Sequence, residues 1–370
     1  MGLSSSHTDD PMPMPSATRS TALAARSKQV LQSVSPGPFP QQRSLMGSRI
    51  TGTGSSIPPT CVENSALAQH VDTTDEWIVK RTGIRTRHLL EDAQLPSDMG
   101  VEAGRRALLA ADTPASDVDL LLVATNFPDM ICPGSSPFVA QGLGLSDVPF
   151  LDLTAGCSGF VYGLALAEGM IASGLFRRVL LVGMEALSRV TDWSDRRTCV
   201  LFGDGAGAVL MEPGEEGTGI LGISLHGDAD KALFLHIPSG GTREPASSET
   251  LARRGHFVKM EGSGVFRSAA PMMESATRVA LQRAHLDLSD VDWIIPHQAN
   301  QRIIDAFTRR LGVPSERVIT NLERVANTST ASIPIALDEE IRAGRIQSGD
   351  VVLMTAFGAG VTYGAVVLKL

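Results

Sequence analysis

A thiol, an imidazole and a carboxamide occupy comparable places in this chain, and each place is one where chemistry can be done. Cys157 lies in the stretch Leu151-Asp-Leu-Thr-Ala-Gly-Cys-Ser-Gly-Phe160. Phe150 to Leu153 read as a short strand and Thr154 to Gly156 as a turn. Val161 to Ile171 read as a nearly all-apolar helix of the kind buried in a large core. A thiol at the start of such a helix meets free backbone N–H groups and the positive end of the helix dipole, and both favour the nucleophilic thiolate. A small buried cysteine filling a tight gap has the same local sequence. What decides between the two is the company Cys157 keeps. His297 follows the apolar run Trp293 to Pro296, and Asn327 closes Thr320-Asn-Leu-Glu-Arg-Val-Ala-Asn327.

The elements that must position these residues come from an internal repeat. Ala103-Gly-Arg-Arg-Ala-Leu108 leads to Ser116-Asp-Val-Asp-Leu-Leu-Leu-Val123. Ala276-Thr-Arg-Val-Ala-Leu281 leads, over the same spacing, to Ser289-Asp-Val-Asp-Trp-Ile-Ile-Pro296. Each copy predicts an amphipathic helix, a polar turn and an apolar strand. The match resumes where Leu143-Gly-Leu-Ser precedes the Cys157 turn and Leu311-Gly-Val-Pro precedes Asn327. Gly174 follows Cys157 at the same distance as Gly344 follows Asn327. The chain therefore reads as two copies of one βαβ-rich unit, residues 49–215 and 216–370. Each copy is expected to hold a mixed, mostly parallel sheet covered by helices. A pseudo-two-fold relation makes Cys157 and Asn327 equivalent, each at the N-terminus of a buried helix, with His297 at a related strand end.

Composition narrows the classes. The 370 residues are 43 % apolar and 19 % charged, values of a globular α/β chain, and the net charge of −8 gives no general attraction to nucleic acid. Cys61, Cys132, Cys157 and Cys199 lie far apart, which fits neither a disulfide scaffold nor a structural metal site and suggests a reducing compartment. No apolar run reaches the ~20 residues of a membrane span. A soluble, cytoplasmic protein is expected. Residues 1–48, rich in Ser, Pro and Gln, read as a disordered extension. Arg19, Arg26, Lys28 and Arg43 among serines also fit a plastid or other organellar transit peptide, against which Asp9 and Asp10 count. Two glycine clusters fail as nucleotide motifs. Gly52-x-Gly54 has Ile57 in the third glycine's place, and Gly203-Asp-Gly-Ala-Gly207 lacks a phosphate loop's ending; the latter reads as a tight turn packed on a neighbouring backbone.

At these residues the chain resembles a known family. Thr-Ala-Gly-Cys157-Ser-Gly-Phe, Pro-His297-Gln-Ala-Asn-Gln-Arg and Ala-Asn327-Thr-Ser-Thr-Ala-Ser are similar to the triad blocks of β-ketoacyl-acyl-carrier-protein synthase III. So are Asp75-Glu-Trp-Ile-Val-Lys-Arg-Thr-Gly-Ile-Arg85, Asp195-Arg196, Phe202-Gly-Asp-Gly-Ala-Gly-Ala208 and Phe357-Gly-Ala-Gly360. The blocks run in the family's order from about residue 49 to the C-terminus. The resemblance implies a thiolase-like fold, with two duplicated halves in a five-layer αβαβα arrangement, and a homodimer. It implies initiation of type II fatty-acid synthesis. An acyl-CoA primer would load Cys157, and decarboxylative condensation with malonyl-acyl-carrier protein would give a 3-oxoacyl product, CoA and CO₂.

The implied roles suit the residue types. A thiolate accepts an acyl group from a thioester. The backbone N–H groups of Cys157 and Ala359 would form the oxyanion hole, with alanine standing where the family usually has glycine. His297 Nε2 and the Asn327 amide would stabilise the enolate of the second step. No metal or other cofactor is implied, acyl-CoA being a substrate. Trp77 and Arg196 match the residues that sandwich the coenzyme A adenine, and Thr73 and Arg81 match other nucleotide contacts. Arg302, Arg309 and Arg310 share one side of a helix from Asn300 to Leu311 and, with Arg267, match the carrier-protein face. Without the family, Arg196 reads as a surface ion-pair partner and the Arg trio as a solvated face.

Some positions depart from the pattern. Val325-Ala326 replaces an aromatic-Gly pair, Ser263-Gly264 replaces a polar residue and a glutamate, and Tyr363 replaces a tryptophan. Cys132 is small where the family often carries a bulky residue reaching into the partner's acyl pocket. With Val361 nearby, this suggests a longer or branched primer. A related acyltransferase or condensing enzyme of polyketide and secondary metabolism is the alternative function. A cysteine hydrolase leaves the repeat unexplained, and a non-catalytic carrier-binding scaffold leaves the triad so.

Overall fold

The computed structural model describes residues 47–215 and 217–370. The transit-peptide reading and all but the end of the predicted extension lie outside the described residues. Ser48, assigned by sequence to that extension, already belongs to the first strand and is fully buried.

Nine strands and seven longer helices position the site. In chain order they are β1 Ser48–Ser56, α1 Asp75–Thr82, α2 Pro96–Ala110, β2 Leu120–Ala124, α3 Ser136–Leu143, β3 Phe150–Leu153, α4 Gly159–Ala172, β4 Val179–Ala186, β5 Asp204–Pro213, β6 Gly219–Gly227, α5 Gly262–Ala284, β7 Trp293–Pro296, α6 Gln301–Leu311, α7 Ser332–Arg342, β8 Val351–Gly358 and β9 Thr362–Lys369. One sheet has the order β1-β5-β4-β2-β3 and the other β7-β8-β9-β6.

Strand alternation builds the layers. Successive side chains of a strand point to opposite faces. Leu120 and Leu122 of β2 therefore join the core that contains α4 and α7, whereas Leu121 and Val123 join the core that contains α2 and α3. In the second sheet Val352 and Met354 of β8 share the core of α4 and α7, while Leu353 packs with α5 and α6. Helices α4 and α7 thus lie between the two sheets, with a helix pair outside each, making five layers. The all-round apolar sequence of α4 is explained by this central place.

The expected mostly parallel sheets are not found. Pairing is parallel for β2 with β3 and β4 and for β7 with β8. The other four neighbour pairs are antiparallel. The reason is connectivity. No helix of the central or outer layers separates β4 from β5 or β8 from β9, so each chain reverses and returns beside itself. The second glycine cluster is also a strand rather than a turn, since Asp204 to Gly207 open β5. Gly52 and Gly54 let β1 press on α2: a Cβ at either would stand 2.2 or 2.3 Å from a carbonyl oxygen of that helix.

Candidate active site

Two loops meet behind Cys157. A Cβ on Gly358 would come within 2.3 Å of the Cys157 backbone nitrogen, and one on Gly156 within 2.3 Å of the Ala359 nitrogen. Only glycine permits this approach, which brings the two N–H groups of the expected oxyanion hole together. Gly156 also has φ +55°, whereas Ala359 is not among the residues with positive φ, so alanine fits there without left-handed strain.

Each expected triad member is fixed by its own element. Cys157 sits two residues before α4, His297 directly after β7, and Asn327 just before the single turn that leads into α7. All three line one cavity of about 440 Å³, together with Trp77, Arg81, Arg196 and Arg302. Cys157 also lines a second cavity of about 180 Å³, walled by Phe127, Leu187, Phe202, Leu235, Ile237 and Val258 and bordered by Ala359. The thiol therefore stands between a larger cavity with cationic and aromatic walls and a smaller apolar one.

The electrostatics correct one expectation. The Cys157 thiol is not poised as a thiolate: burial pushes it up to about 11, the Ser329 hydroxyl opposes this, and the Glu185 carboxylate adds to it. The cost of burying charge outweighs the favourable helix start. His297 is buried, and burial alone holds it down to about 3, so the imidazole is neutral. Its Nδ1 lies 2.7 Å from the Ser332 hydroxyl, which also accepts the Gln298 N–H at 3.3 Å. Ser332 is fully buried, and among the described residues its proton has no other acceptor than Nδ1. Hydrogen-bond accounting then assigns the proton of His297 to Nε2. Asn327 Oδ1 accepts the Ser329 N–H at 2.9 Å, which fixes the amide and leaves its NH₂ with one long contact, 3.5 Å to the Ala299 carbonyl. Two neutral donors thus face one cavity.

The preceding residue, Ala326, holds φ +59° and ψ −161° where the resemblance leads one to expect glycine. The neighbouring backbone fixes this turn, with Asn327 N–H donating to the Leu201 carbonyl and Gly203 N–H to the Asn327 carbonyl.

At the nucleotide-clamp positions, Thr74 caps α1 by accepting the Trp77 N–H. The Arg196 guanidinium carbon lies 4.8 Å and that of Arg81 5.7 Å from the Trp77 ring centre. A base between Trp77 and Arg196 needs about 7 Å, two van der Waals contacts. As placed, the pair is stacked on itself, and Arg196 also donates to the Asp72 carbonyl at 2.6 Å. Thr73 is not among the residues lining the cavity.

Asn300 caps α6, which buries Ile303, Ile304, Phe307 and Leu311 and exposes Arg302, Arg309 and Arg310. Arg302 stacks on Phe266 at 5.0 Å and Arg310 pairs with Glu274 at 2.6 Å. Arg267 is exposed one residue beyond Phe266.

Sequence reasoning missed Ser329, Ser332 and Glu185. The signal for Glu185 was a lone acid in the otherwise apolar strand Val179–Ala186.

The family 3-oxoacyl-[acyl-carrier-protein (ACP)] synthase III matches residues 151–229, and its C-terminal part matches residues 281–370. A β-ketoacyl-[acyl-carrier-protein] synthase III of Caldanaerobacter subterraneus subsp. tengcongensis is 46 % identical over 320 residues, 86 % of this chain and 97 % of the relative. The crystal structure of 3-oxoacyl-[acyl-carrier-protein] synthase III from Aquifex aeolicus VF5 is similar with TM-score 0.81 and 38 % identity, covering 88 % of this chain and 100 % of that one. The priming β-ketosynthase of the R1128 polyketide pathway is similar with TM-score 0.82 and 37 % identity, covering 90 % and 99 %.

Proposed function

The chain belongs to the β-ketoacyl-acyl-carrier-protein synthase III family, an acyltransferase family with the thiolase-like fold that initiates type II fatty-acid synthesis, and from that premise we propose how its residues carry the reaction. Cys157 accepts the acyl group of an acyl-CoA while the N–H groups of Cys157 and Ala359 hold the oxyanion. Malonyl-acyl-carrier protein then enters the same cavity and loses CO₂. His297 Nε2–H and the Asn327 NH₂ stabilise the enolate that forms, whose carbon attacks the acyl-thioester. The observation that carries this reading is that thiol, imidazole and carboxamide line one cavity, the last two as neutral donors. Neutral donors suit an enolate, because they stabilise developing charge without quenching it by full proton transfer.

Trp77, Arg81 and Arg196 form the coenzyme A end of the site, with Arg196 leaving Trp77 to admit the base and Thr73, outside the cavity lining, reached only by the nucleotide's outer end. Arg302, Arg309, Arg310 and Arg267 form the carrier-protein face of an otherwise acidic chain. The smaller apolar cavity suits a saturated acyl chain; a longer or branched primer remains the proposal, and rates falling steeply from acetyl to longer primers would contradict it. Residues 49–215 and 216–370 are the two duplicated units; apart from Ser48 at the start of β1, the β3-containing sheet lies in the first, and the β7-containing sheet lies in the second. The edge strand β3, with Phe150 47 % exposed, supports a homodimer. Among the described residues no helix is long and apolar enough to cross a membrane, and the four free cysteines suit the cytoplasm. No metal or other cofactor enters these steps.

The similarity to the R1128 priming ketosynthase supports a second reading, a priming enzyme of polyketide metabolism acting through the same residues. An assay with malonyl-carrier protein and acetyl-CoA tests the chemistry common to both. Stoichiometric CO₂ and 3-oxoacyl-carrier protein are expected; acyl transfer without CO₂ would refute condensation.

A further inference from the structure

The proton of Cys157 must leave before the sulfur can attack, and His297 has no free nitrogen to take it. Its Nδ1 is occupied by the Ser332 hydroxyl and its Nε2 already carries a proton. Ser329 Oγ lies 3.4 Å from Cys157 Sγ and 3.2 Å from Glu185 Oε1. Ser329 is held there with φ +51°, a left-handed conformation unfavourable for serine, by its N–H bond to Asn327 Oδ1. Glu185 is wholly buried in β4. From the end of β2 it is faced by the Thr125 hydroxyl and the Asn126 N–H and side-chain amide. From the turn before α7 it is faced by the Ser329 and Thr330 hydroxyls. Among the described residues it forms no ion pair, and its charge raises the Cys157 thiol.

We propose that Glu185, acting through the Ser329 hydroxyl, receives the proton of Cys157 in the loading step and is thereby a positioning residue of that step. This rests on Cys157 being the nucleophile. As the Sγ–H bond breaks, a new O–H bond forms on Ser329 and the original Ser329 proton passes to Glu185 Oε1. The sulfur electron pair forms the C–S bond to the acyl carbon, and the bond from that carbon to coenzyme A breaks. Coenzyme A departs as a thiolate and takes a proton from solvent. When condensation releases the acyl group, the Cys157 thiolate recovers its proton from Glu185 by the same path. The proton transfer keeps the charge of the pocket at one while the thiolate exists, where a thiolate beside an ionised Glu185 would place two; that charge leaves with coenzyme A. Burial pushes the Glu185 carboxyl up to about 7, with the Asn126 donors opposing, which makes it a stronger base than an ordinary carboxylate.

The test is the rate of single-turnover loading, read as coenzyme A released on mixing the protein with acetyl-CoA alone across pH 5 to 10. In the native chain the rate should rise as pH passes about 7, where Glu185 ionises, and then level. Glu185→Gln should load about 100-fold more slowly at neutral pH, the lower range for loss of a general base. It should recover as pH rises towards the ionisation of the thiol itself. Ser329→Ala keeps Glu185 and should show the same profile, and the double variant should be no slower than either single one. A native profile without a limb near pH 7, or a Glu185→Gln protein that loads at the native rate, would overturn the relay. Acetylation of Cys157 at the end of each run separates that outcome from failure of the nucleophile assignment, in which no acetyl group appears on Cys157 even in the native chain.

Discussion

Replacing Ser332 by alanine removes one hydroxyl from the buried edge of His297 and separates the two half-reactions. Ser332 Oγ meets His297 Nδ1 at 2.7 Å and the Gln298 N–H at 3.3 Å, and all three residues are buried. Losing it leaves a donor and an acceptor unmet, each worth about 1–3 kcal/mol in the interior, although a small shift could let the two find each other. Stability should fall by about 1–3 kcal/mol, read from denaturant midpoints at constant slope. The tautomer bias that keeps a proton on Nε2 is worth one hydrogen bond, about 1 kcal/mol, so enolate stabilisation should fall and condensation slow by about 5- to 10-fold. Loading does not draw on Nε2–H and should stay within about twofold of the native rate. Coenzyme A release in a rapid-mixing burst reads loading, and CO₂ release from malonyl-carrier protein at steady state reads condensation. Ser332→Thr keeps the hydroxyl and should restore condensation. Equal slowing of both half-reactions, or no slowing of condensation in a folded Ser332→Ala protein, would refute the tautomer argument.

Other outcomes follow from single contacts. Glu185→Gln should gain stability relative to the native chain as pH rises from about 4.5 to about 7. The buried carboxyl titrates higher in the folded state than in the unfolded one, so the native chain loses up to about 1.4 kcal/mol per pH unit across that window. Denaturant unfolding of both proteins at pH 5 and 7 reads this, and a difference that does not grow with pH would contradict it. Arg302→Glu should raise the KM for malonyl-carrier protein about tenfold at low salt, less at high salt, with loading by acetyl-CoA unaltered. Trp77→Ala should raise the KM for acyl-CoA about tenfold through lost stacking, measured by initial rates, with the condensation of preloaded enzyme unchanged. Gly52→Ala places a methyl group 2.2 Å from the Ala107 carbonyl and should cost at least about 2 kcal/mol in a denaturation experiment.

Much of this architecture was legible in the chain. The apolar runs around Leu120 and Val179 read as strands, and both strands are fully buried. The nearly all-apolar helix after Cys157 read as one buried in a large core, and it lies between the two sheets. Pairing direction was not legible, because it depends on whether a helix or a bare loop joins β4 to β5, and both are read from weak signals between residues 187 and 203. The state of the thiol was misjudged for a similar reason. The helix start is local and visible in sequence, whereas the packing around Cys157 that opposes it includes the end of β8, where Gly358 presses on the Cys157 backbone from two hundred residues away. Ser329 and Ser332 were invisible as functional groups, since a hydroxyl three-dimensionally aligned with sulfur or imidazole looks, in sequence, like any serine at a helix start.

The account stands or falls on Cys157 carrying the acyl group. Incubating the protein with acetyl-CoA and longer acyl-CoAs, then mapping the modified peptide by mass spectrometry, tests this most directly. The expected result is one acyl group per chain on Cys157, discharged when malonyl-carrier protein is added. An unmodified Cys157, or an acyl group stably held elsewhere, would contradict it.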